Sequence, residues 1–201
     1  MSKEGKNGVT AETPKNIPFG AGTIHKNLKY TPGESDAAGT WNFENSIIGA
    51  TSGGSKLTIT PEIVDIEIDG AMVKVKALKK KTGETAELEI NFAELSTDIL
   101  KSALIAKDGT SADANYDLLE SKPDIEEGDY FENIAFVGKT LDGRNIIVIL
   151  DNAICTSGLE LEGKAKEAGV VTLTFESTAE LDSDMDTLPY HIYYPKATPQ
   201  G

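Results

Sequence analysis

Few residues in this chain have the types and the spacing that would support chemistry at a site. His25 and His191 lie far apart in sequence, and neither has a cysteine or a second histidine at metal-ligand spacing. Cys155, the single cysteine, lacks the glycine-rich turn and the basic neighbour that accompany many reactive thiolates. We therefore predict structural or interface roles for both histidines, and no catalytic residue, metal or cofactor.

Two further stretches resemble binding loops only in part. Gly20 and Gly22 form a Gly-x-Gly pair, but the third glycine of a nucleotide loop is missing, and no strand precedes the pair. The acidic residues 182–186 resemble the start of a calcium loop. Thr187 occupies the position that requires glycine, however, and Tyr193 stands where a bidentate glutamate belongs. A solvated acidic turn is the prediction there.

Composition narrows the class of protein. The 201 residues carry 33 acidic and 19 basic side chains, a formal net charge of −14, which disfavours binding to nucleic acid phosphates. A single cysteine allows no internal disulfide framework and fits a reducing compartment. No stretch approaches the roughly 20 apolar residues of a membrane span, and the polar start lacks a signal-peptide core. We expect a soluble protein made in the cytoplasm, with no membrane partner.

The elements that would position any site are predicted to be strands, organised around a three-stranded antiparallel meander from Ile63 to Phe92. A turn at Asp69-Gly70 would set Asp65 opposite Lys74, and a second turn would follow near residues 81–83. In the last strand Ala86, Leu88, Ile90 and Phe92 share one face, and this apolar face of the meander must be buried against something. The opposite, charged face of the meander is predicted to include Asp65, Glu67, Lys74, Lys76, Glu87 and Glu89.

The second half of the chain predicts a second hairpin and several single strands. Residues 131–150 alternate about Asp142-Gly143, and a two-residue turn would set Val137 opposite Val148. Residues 153–162, 170–179 and 190–194 have strand patterns as well. Behind Ser96, apolar residues recur at helical spacing as far as Leu104, which predicts the one amphipathic helix.

The domain organisation follows from where these patterns begin and end. We predict an N-terminal arm over residues 1–16, one domain over 17–195 and a C-terminal tail over 196–201, with both ends loose when the chain is alone. Within the domain, residues 28–54 form a long, turn-rich loop that carries Trp41 and Phe43. These aromatic residues would either contact a partner or pack back onto their own domain. The fold class is mainly β, a β-sandwich or barrel with one short flanking helix.

Four stretches carry a resemblance to a known family: 19–27, the 64–94 region ending in Asn91-Phe92-Ala93-Glu94, the glycine-flanked 159–164, and the closing 188–195. Over about residues 17–195 the chain resembles the major tail (tail tube) proteins of tailed bacteriophages and prophages of Gram-positive bacteria. None of these motifs carries chemistry that forces its residue types.

The resemblance implies a β-sandwich or barrel of the tail tube type. Subunits of that type form hexameric rings that stack into a hollow tube, through which the genome passes as cargo. The implied partners are further copies of the chain, the tape measure protein, and the tail terminator and baseplate proteins. The implied location is the virion tail, assembled in the host bacterial cytoplasm, and no enzymatic activity is expected.

Site residues follow from this hypothesis. Possible contacts between subunits are Tyr30, Trp41, Phe43 and His25. The charged face of the meander would line either the lumen or the exterior of the tube, a choice that its lysines leave open.

Two other functions compete with this one. The chain could be the tube subunit of a contractile tail, a phage-like bacteriocin or a type VI-like secretion machine, which differ in having a sheath. It could also be a carbohydrate-binding β-sandwich module, which would present a row of exposed aromatic residues on one sheet face.

Overall fold

A computed structural model of the chain describes residues 8–34, 38–70, 72–163, 169–181 and 186–196. Most of the acidic turn at 182–186, the start of the N-terminal arm and nearly all of the C-terminal tail lie outside the described residues. Within the described part of the arm, residues 13–16 form one helical turn.

The protein is mainly β, as the sequence predicts. The strands are β1 Pro18–Lys26, β2 Tyr30–Thr31, β3 Thr40–Trp41, β4 Thr51–Asp65, β5 Lys79–Phe92, β6 Ala106–Asp108, β7 Leu119–Ser121, β8 Phe131–Thr140, β9 Asn145–Cys155, β10 Val171–Ser177 and β11 Tyr190–Tyr193. The α-helices are α1 Thr13–Asn16, α2 Phe43–Ser46 and α3 Thr97–Leu104, and single 3-10 turns lie at Lys76–Leu78 and Glu127–Asp129.

Seven strands form one antiparallel sheet in the order β1-β8-β9-β10-β5-β4, with β11 added beside β9. Strand β9 changes partner along one edge, because β11 pairs with its residues 147–150 and β10 with residues 153–155. The sheet is not a closed barrel. Non-strand residues bridge its two ends instead: the Ile48 N–H donates to the Ile24 carbonyl at 3.1 Å, and the Ala93 N–H to the Ala50 carbonyl at 2.9 Å.

The main core lies inside this curved sheet. The predicted face of β5 is its centre, since Ala86, Leu88, Ile90 and Phe92 are all 0% exposed. Strands β1, β8, β9 and β10 contribute the remaining wall. Helix α3 buries Ile99 against the same core, and its predicted N-cap, Ser96, accepts a hydrogen bond from the Ile99 N–H at 3.3 Å. Both the helix and the buried face of β5 are therefore confirmed.

A smaller core lies on the other face of β8 and β9, where Ala135, Val137, Ile147 and Ile149 are buried with Leu28. Trp41 of β3 and Phe43 of α2 pack against this core. The predicted loop 28–54 therefore contains short elements, and it ends earlier than predicted because β4 begins at Thr51. Of the two interpretations left open by the sequence, these aromatic residues thus pack back onto their own domain.

The three-stranded meander is wrong. Strands β4 and β5 form a single long hairpin in which Asp65 pairs with Lys79, and described residues between 66 and 75 belong to no strand. The predicted turn at 81–83 lies within β5, where the register shifts between Glu62 and Ile63. Thr82 is the extra residue of a β-bulge, so it interrupts the pairing without reversing the chain, and Gly83 pairs with Glu62.

The second hairpin is confirmed, but its register is one residue from the prediction. Val137 pairs with Ile147 rather than Val148, because the turn has three residues instead of two. The Thr140 N–H donates to the Arg144 carbonyl at 2.8 Å, and Gly143 has a φ of 87°. This is a turn followed by a glycine in the left-handed region, the arrangement of a hairpin with a bulge. Beyond it, β9 runs on to Cys155, and residues 156–162 are not a strand.

Candidate assembly surfaces

The outer half of the β4–β5 hairpin is an exposed apolar surface. We call residues 63–83 the hairpin arm. Seven of its large apolar side chains are exposed, and Met72 reaches 99% exposure. Monomeric proteins rarely expose so many apolar groups in one segment, so this surface is a candidate for contact with another molecule. The seven residues are Ile63, Val64, Ile66, Ile68, Met72, Val73 and Val75.

Ion pairs hold the arm's loop against its strands. The Asp65 carboxylate lies 2.6 Å from the Lys74 ammonium and 2.6 Å from that of Lys79. Hydrogen bonds from Lys74 and then Lys79 lower the pKa of Asp65, and the Asp65 contact raises the pKa of Lys74. The predicted Asp65–Lys74 contact therefore exists, although it closes a loop rather than joining two strands.

The arm is basic in an acidic protein. It carries five lysines and three acidic residues, a net charge of +2, whereas the chain has a net charge of −14. All other residues together therefore carry −16. Lys76 and Lys80 are exposed and form no ion pair with the described part of the chain. The arm thus combines apolar groups with positive charge, and it differs in both respects from the surface around it.

The six residues predicted to share a charged sheet face are divided between two places. Asp65, Glu67, Lys74 and Lys76 belong to the arm and its loop. Glu87 and Glu89 lie on the core part of β5, on the face opposite Leu88, and pair across the sheet with Thr58 and Lys56. No single surface contains all six, because the middle strand of the predicted meander does not exist.

An aromatic cluster contains the predicted contact residues. The Trp41 ring centroid lies 5.0 Å from that of Tyr30, 6.3 Å from that of Phe43 and 5.1 Å from that of Tyr193. Tyr30 and Tyr193 are each 49% exposed. The cluster therefore has a buried side that covers the smaller core and an exposed side formed by tyrosines.

His25 is buried beneath this cluster, at 1% exposure. Its Nδ1 lies 2.8 Å from Ser46 Oγ, and its Nε2 lies 2.8 Å from Thr23 Oγ1. The Ser46 hydroxyl donates to the Asn42 carbonyl at 2.9 Å, so Nδ1–H donates to Ser46 and Nε2 accepts from Thr23. Burial lowers the pKa of His25, and a hydrogen bond to the backbone carbonyl of Phe43 partly offsets this. His25 therefore fastens helix α2 to β1 within the chain.

Arg144, the only arginine, joins three parts of the chain. Its Nη1 donates to the Lys196 carbonyl at 2.8 Å, its Nη2 to the Lys15 carbonyl at 2.9 Å and its Nε to Asp142 at 2.7 Å. The segments before β1 and after β11 are thus both held at the β8–β9 turn. Local sequence carries no signal for this role, since only the tertiary fold brings these carbonyls together.

In the part of the chain that the structure describes, the cysteine and the two histidines lie apart from one another. Cys155 is buried in the main core, and the exposed His191 pairs with Asp151 at 3.0 Å. Among the described residues no group of three histidine, cysteine, aspartate or glutamate side chains has the geometry of a metal site. None of the described helices is long and apolar enough to cross a membrane.

The chain has a match among solved structures but none among family models or curated proteins. No protein-family model matches the chain, and no curated protein matches it. Among solved structures, the chain is similar to a chain of the cryo-EM structure of the anti-feeding prophage (AFP) baseplate, 6-fold symmetrised. The two are 12% identical, the match covers 89% of this chain and 95% of the other, and the TM-score is 0.39. At that level the strand pairing described above, and not the comparison, defines the fold.

Proposed function

We propose that this protein is a structural subunit of a phage tail, which polymerises as stacked hexameric rings into the hollow tube that delivers the genome. The observation that carries the proposal is the hairpin arm, a projecting segment with seven exposed apolar side chains and its own charge. Such a segment would be a liability on a free protein and is useful only in an assembly. The resemblance of the sequence to major tail proteins is the reason to propose that this assembly is a tail tube.

Open strand edges add support. Strand β4 pairs only with β5, and β1 pairs with β8 on one side while its other side carries only the single bridge from His25 to Ile47. Edges of this length template pairing with another chain, and subunits that share a sheet would satisfy them. Contacts between two different surfaces of identical subunits repeat around a ring or along a filament, as a tube requires.

The charge distribution suits a conduit. DNA adheres to proteins chiefly through phosphate contacts with lysine and arginine. A chain with a net charge of −14 would let DNA pass without binding it, provided that the basic arm is engaged in contacts between subunits. The partners would be further copies of the chain together with tape measure, terminator and baseplate proteins.

The two alternatives differ in how they fit the surfaces. A tube subunit of a contractile tail, a phage-like bacteriocin or a type VI-like machine would use the same arm, and a sheath gene beside the coding sequence would identify it. A carbohydrate-binding module would present a row of exposed aromatic rings. Trp41 packs instead among Tyr30, Phe43 and Tyr193. One side of this cluster covers the smaller core, so its rings do not form an exposed row.

Electron microscopy of the purified protein tests the proposal. Concentrated protein at several salt levels, alone and co-expressed with tape measure and baseplate proteins, should form rings or tubes of uniform diameter. A variant with Ile66, Ile68 and Val73 changed to serine should keep its melting temperature, because these side chains are exposed, but should fail to assemble. A chain that stays monomeric under every one of these conditions would refute the proposal.

A further inference from the structure

A second surface has the chemistry that the hairpin arm lacks. A groove of about 700 Å³ lies between the Glu127–Asp129 turn, the start of β8 and the segment after β10. Tyr130, Phe131 and Leu181 give it apolar walls, and Leu181 is 86% exposed. Glu127 and Glu132 give it negative charge. The groove is thus apolar and acidic, whereas the arm is apolar and basic.

The acidic character of the groove extends along its wall. Residues 122–132 contain five acidic residues and one lysine, Lys122. That lysine is already engaged, since its ammonium lies 2.6 Å from Asp129 and 2.9 Å from Glu126. Asp129 in turn accepts a hydrogen bond from the Glu126 N–H at 2.7 Å, which fixes the shape of the turn. The groove wall is therefore a preformed surface that retains a net negative charge.

The arm of the same chain does not fill this groove. Met72 at the arm's loop is 99% exposed, and Leu181 in the groove is 86% exposed, so neither covers the other. Among the described residues, each copy of the chain therefore presents an exposed arm and a groove that this arm does not fill. A head-to-tail contact between two copies would use one of each and leave one of each for the next copy.

We propose that the hairpin arm of one copy docks into the groove lined by Glu127, Tyr130, Glu132 and Leu181 of a second copy. This inference rests on the proposed function, and it names the surface that receives the arm. The apolar side chains of the arm cover Tyr130, Phe131 and Leu181, while its lysines face the glutamates. Complementary charge fixes the orientation and speeds encounter, and the apolar contact supplies most of the affinity.

A charge-reversal experiment tests the pairing. K76E/K80E should raise the protein concentration needed for assembly by about tenfold or more, because like charges would meet across the interface. These two lysines have no ion-pair partner in the described residues, so the fold should be unaffected. The matched control, K139E/K196E, makes the same change in net charge at exposed lysines outside the arm and should assemble like the wild type.

Rescue makes the test specific. Mixing K76E/K80E with E127K/E132K should restore assembly, since each arm would again meet a groove of opposite charge. Glu132 also pairs with Lys29, but that contact is exposed and contributes little. Assembly of K76E/K80E at the wild-type concentration, or failure of the mixture to recover, would overturn the docking proposal while leaving self-assembly intact.

Cysteine cross-linking tests the contact independently of tube formation. Cys155 is buried, so M72C and L181C would each add one accessible thiol to an otherwise unreactive surface. A concentrated mixture of the two variants under oxidising conditions should form a covalent dimer at least about tenfold faster than a mixture of M72C with Y116C. Tyr116 is the control site because its side chain is also largely exposed, at 72%. Equal rates in the two mixtures would refute the docking site even if tubes form.

Discussion

Removing the Arg144 guanidinium should loosen the two segments that flank the sheet without disturbing its core. In Arg144→Ala the carbonyls of Lys15 and Lys196 both lose their charged donor. Hydrogen bonds to charged groups contribute about 1.5–3 kcal/mol each when buried, and these two are partly or fully exposed. We therefore expect a loss of about 1–2 kcal/mol in the free energy of unfolding.

On a chain of this length each kcal/mol lowers the melting temperature by about 2–4 °C, so the variant should melt about 2–8 °C lower. Arg144→Lys keeps the charge but presents a compact ammonium in place of the planar fork, so it should fall between wild type and alanine. Thermal denaturation gives the size of the effect. Amide hydrogen exchange shows which segments are destabilised. Residues 13–17 and 190–196 should exchange faster in the variant than in the wild type, and residues of β5 should exchange at the same rate.

Two further bonds define the expected pattern. The Leu141 N–H donates to the Ile17 carbonyl at 2.9 Å, and the Tyr194 hydroxyl donates to Asn16 Oδ1 at 3.4 Å. Both link the same segments and should weaken with the loss of Arg144. A variant that melts within 1 °C of wild type and shows unchanged exchange in these segments would refute the idea that Arg144 fastens them.

Two other predictions follow from the geometry. The pKa of His25 is lowered in the folded state, so the unfolded chain binds the proton at a higher pH than the folded chain does. The stability that His25 contributes is therefore present above its ordinary pKa of about 6.5, and it is lost as the pH falls below that value. His25→Gln should flatten this dependence in denaturation curves between pH 7.5 and 5, and an unchanged slope would contradict it. Gly143→Ala forces a Cβ into a φ of 87° and should cost about 1–2 kcal/mol, although no atom lies within 4 Å of that Cβ. Gly128→Ala, where space is equally open and φ is not positive, should be neutral, and equal losses would show that strain is not the cause.

Elements whose pattern is complete within one stretch of sequence were predictable. The alternation in β5 and β10 places Leu88 and Leu173 at 0% exposure, as expected for inward-facing residues. Helix α3 has its cap and its apolar spacing within a few residues. These features depend on local sequence, so no knowledge of the partner strand is needed.

Register could not be fixed in the same way. Strands β8 and β9 bury residues on both faces, so shifting their pairing by one residue leaves apolar groups opposite apolar groups. The turn decides the register, and Asp142-Gly143 is compatible with a turn of two or of three residues. Only the Thr140–Arg144 pairing distinguishes them.

The hairpin arm shows a different limit. Alternating apolar residues at Val64, Ile66 and Ile68 predict a sheet face that must be buried against something, and within this chain Ile66 and Ile68 are 52% and 56% exposed. Alternation reports that a surface is to be covered but does not say by which molecule. A pattern that fails to find a core within the chain is therefore informative about assembly.

The partner change along β9 has a consequence for the order in which the protein folds. The β4–β5 and β8–β9 hairpins join neighbouring segments and can form within microseconds of synthesis. Strand β1 must wait for β8, since Ile24 pairs with Phe136, and β9 is complete only when β10 and β11 have followed it. The apolar arm therefore emerges from the ribosome well before the sheet that anchors it is closed. During that interval the lysines at 79–81 and the bulge at Thr82 would act as gatekeepers, which delay pairing between unfinished chains until the last strand is in place.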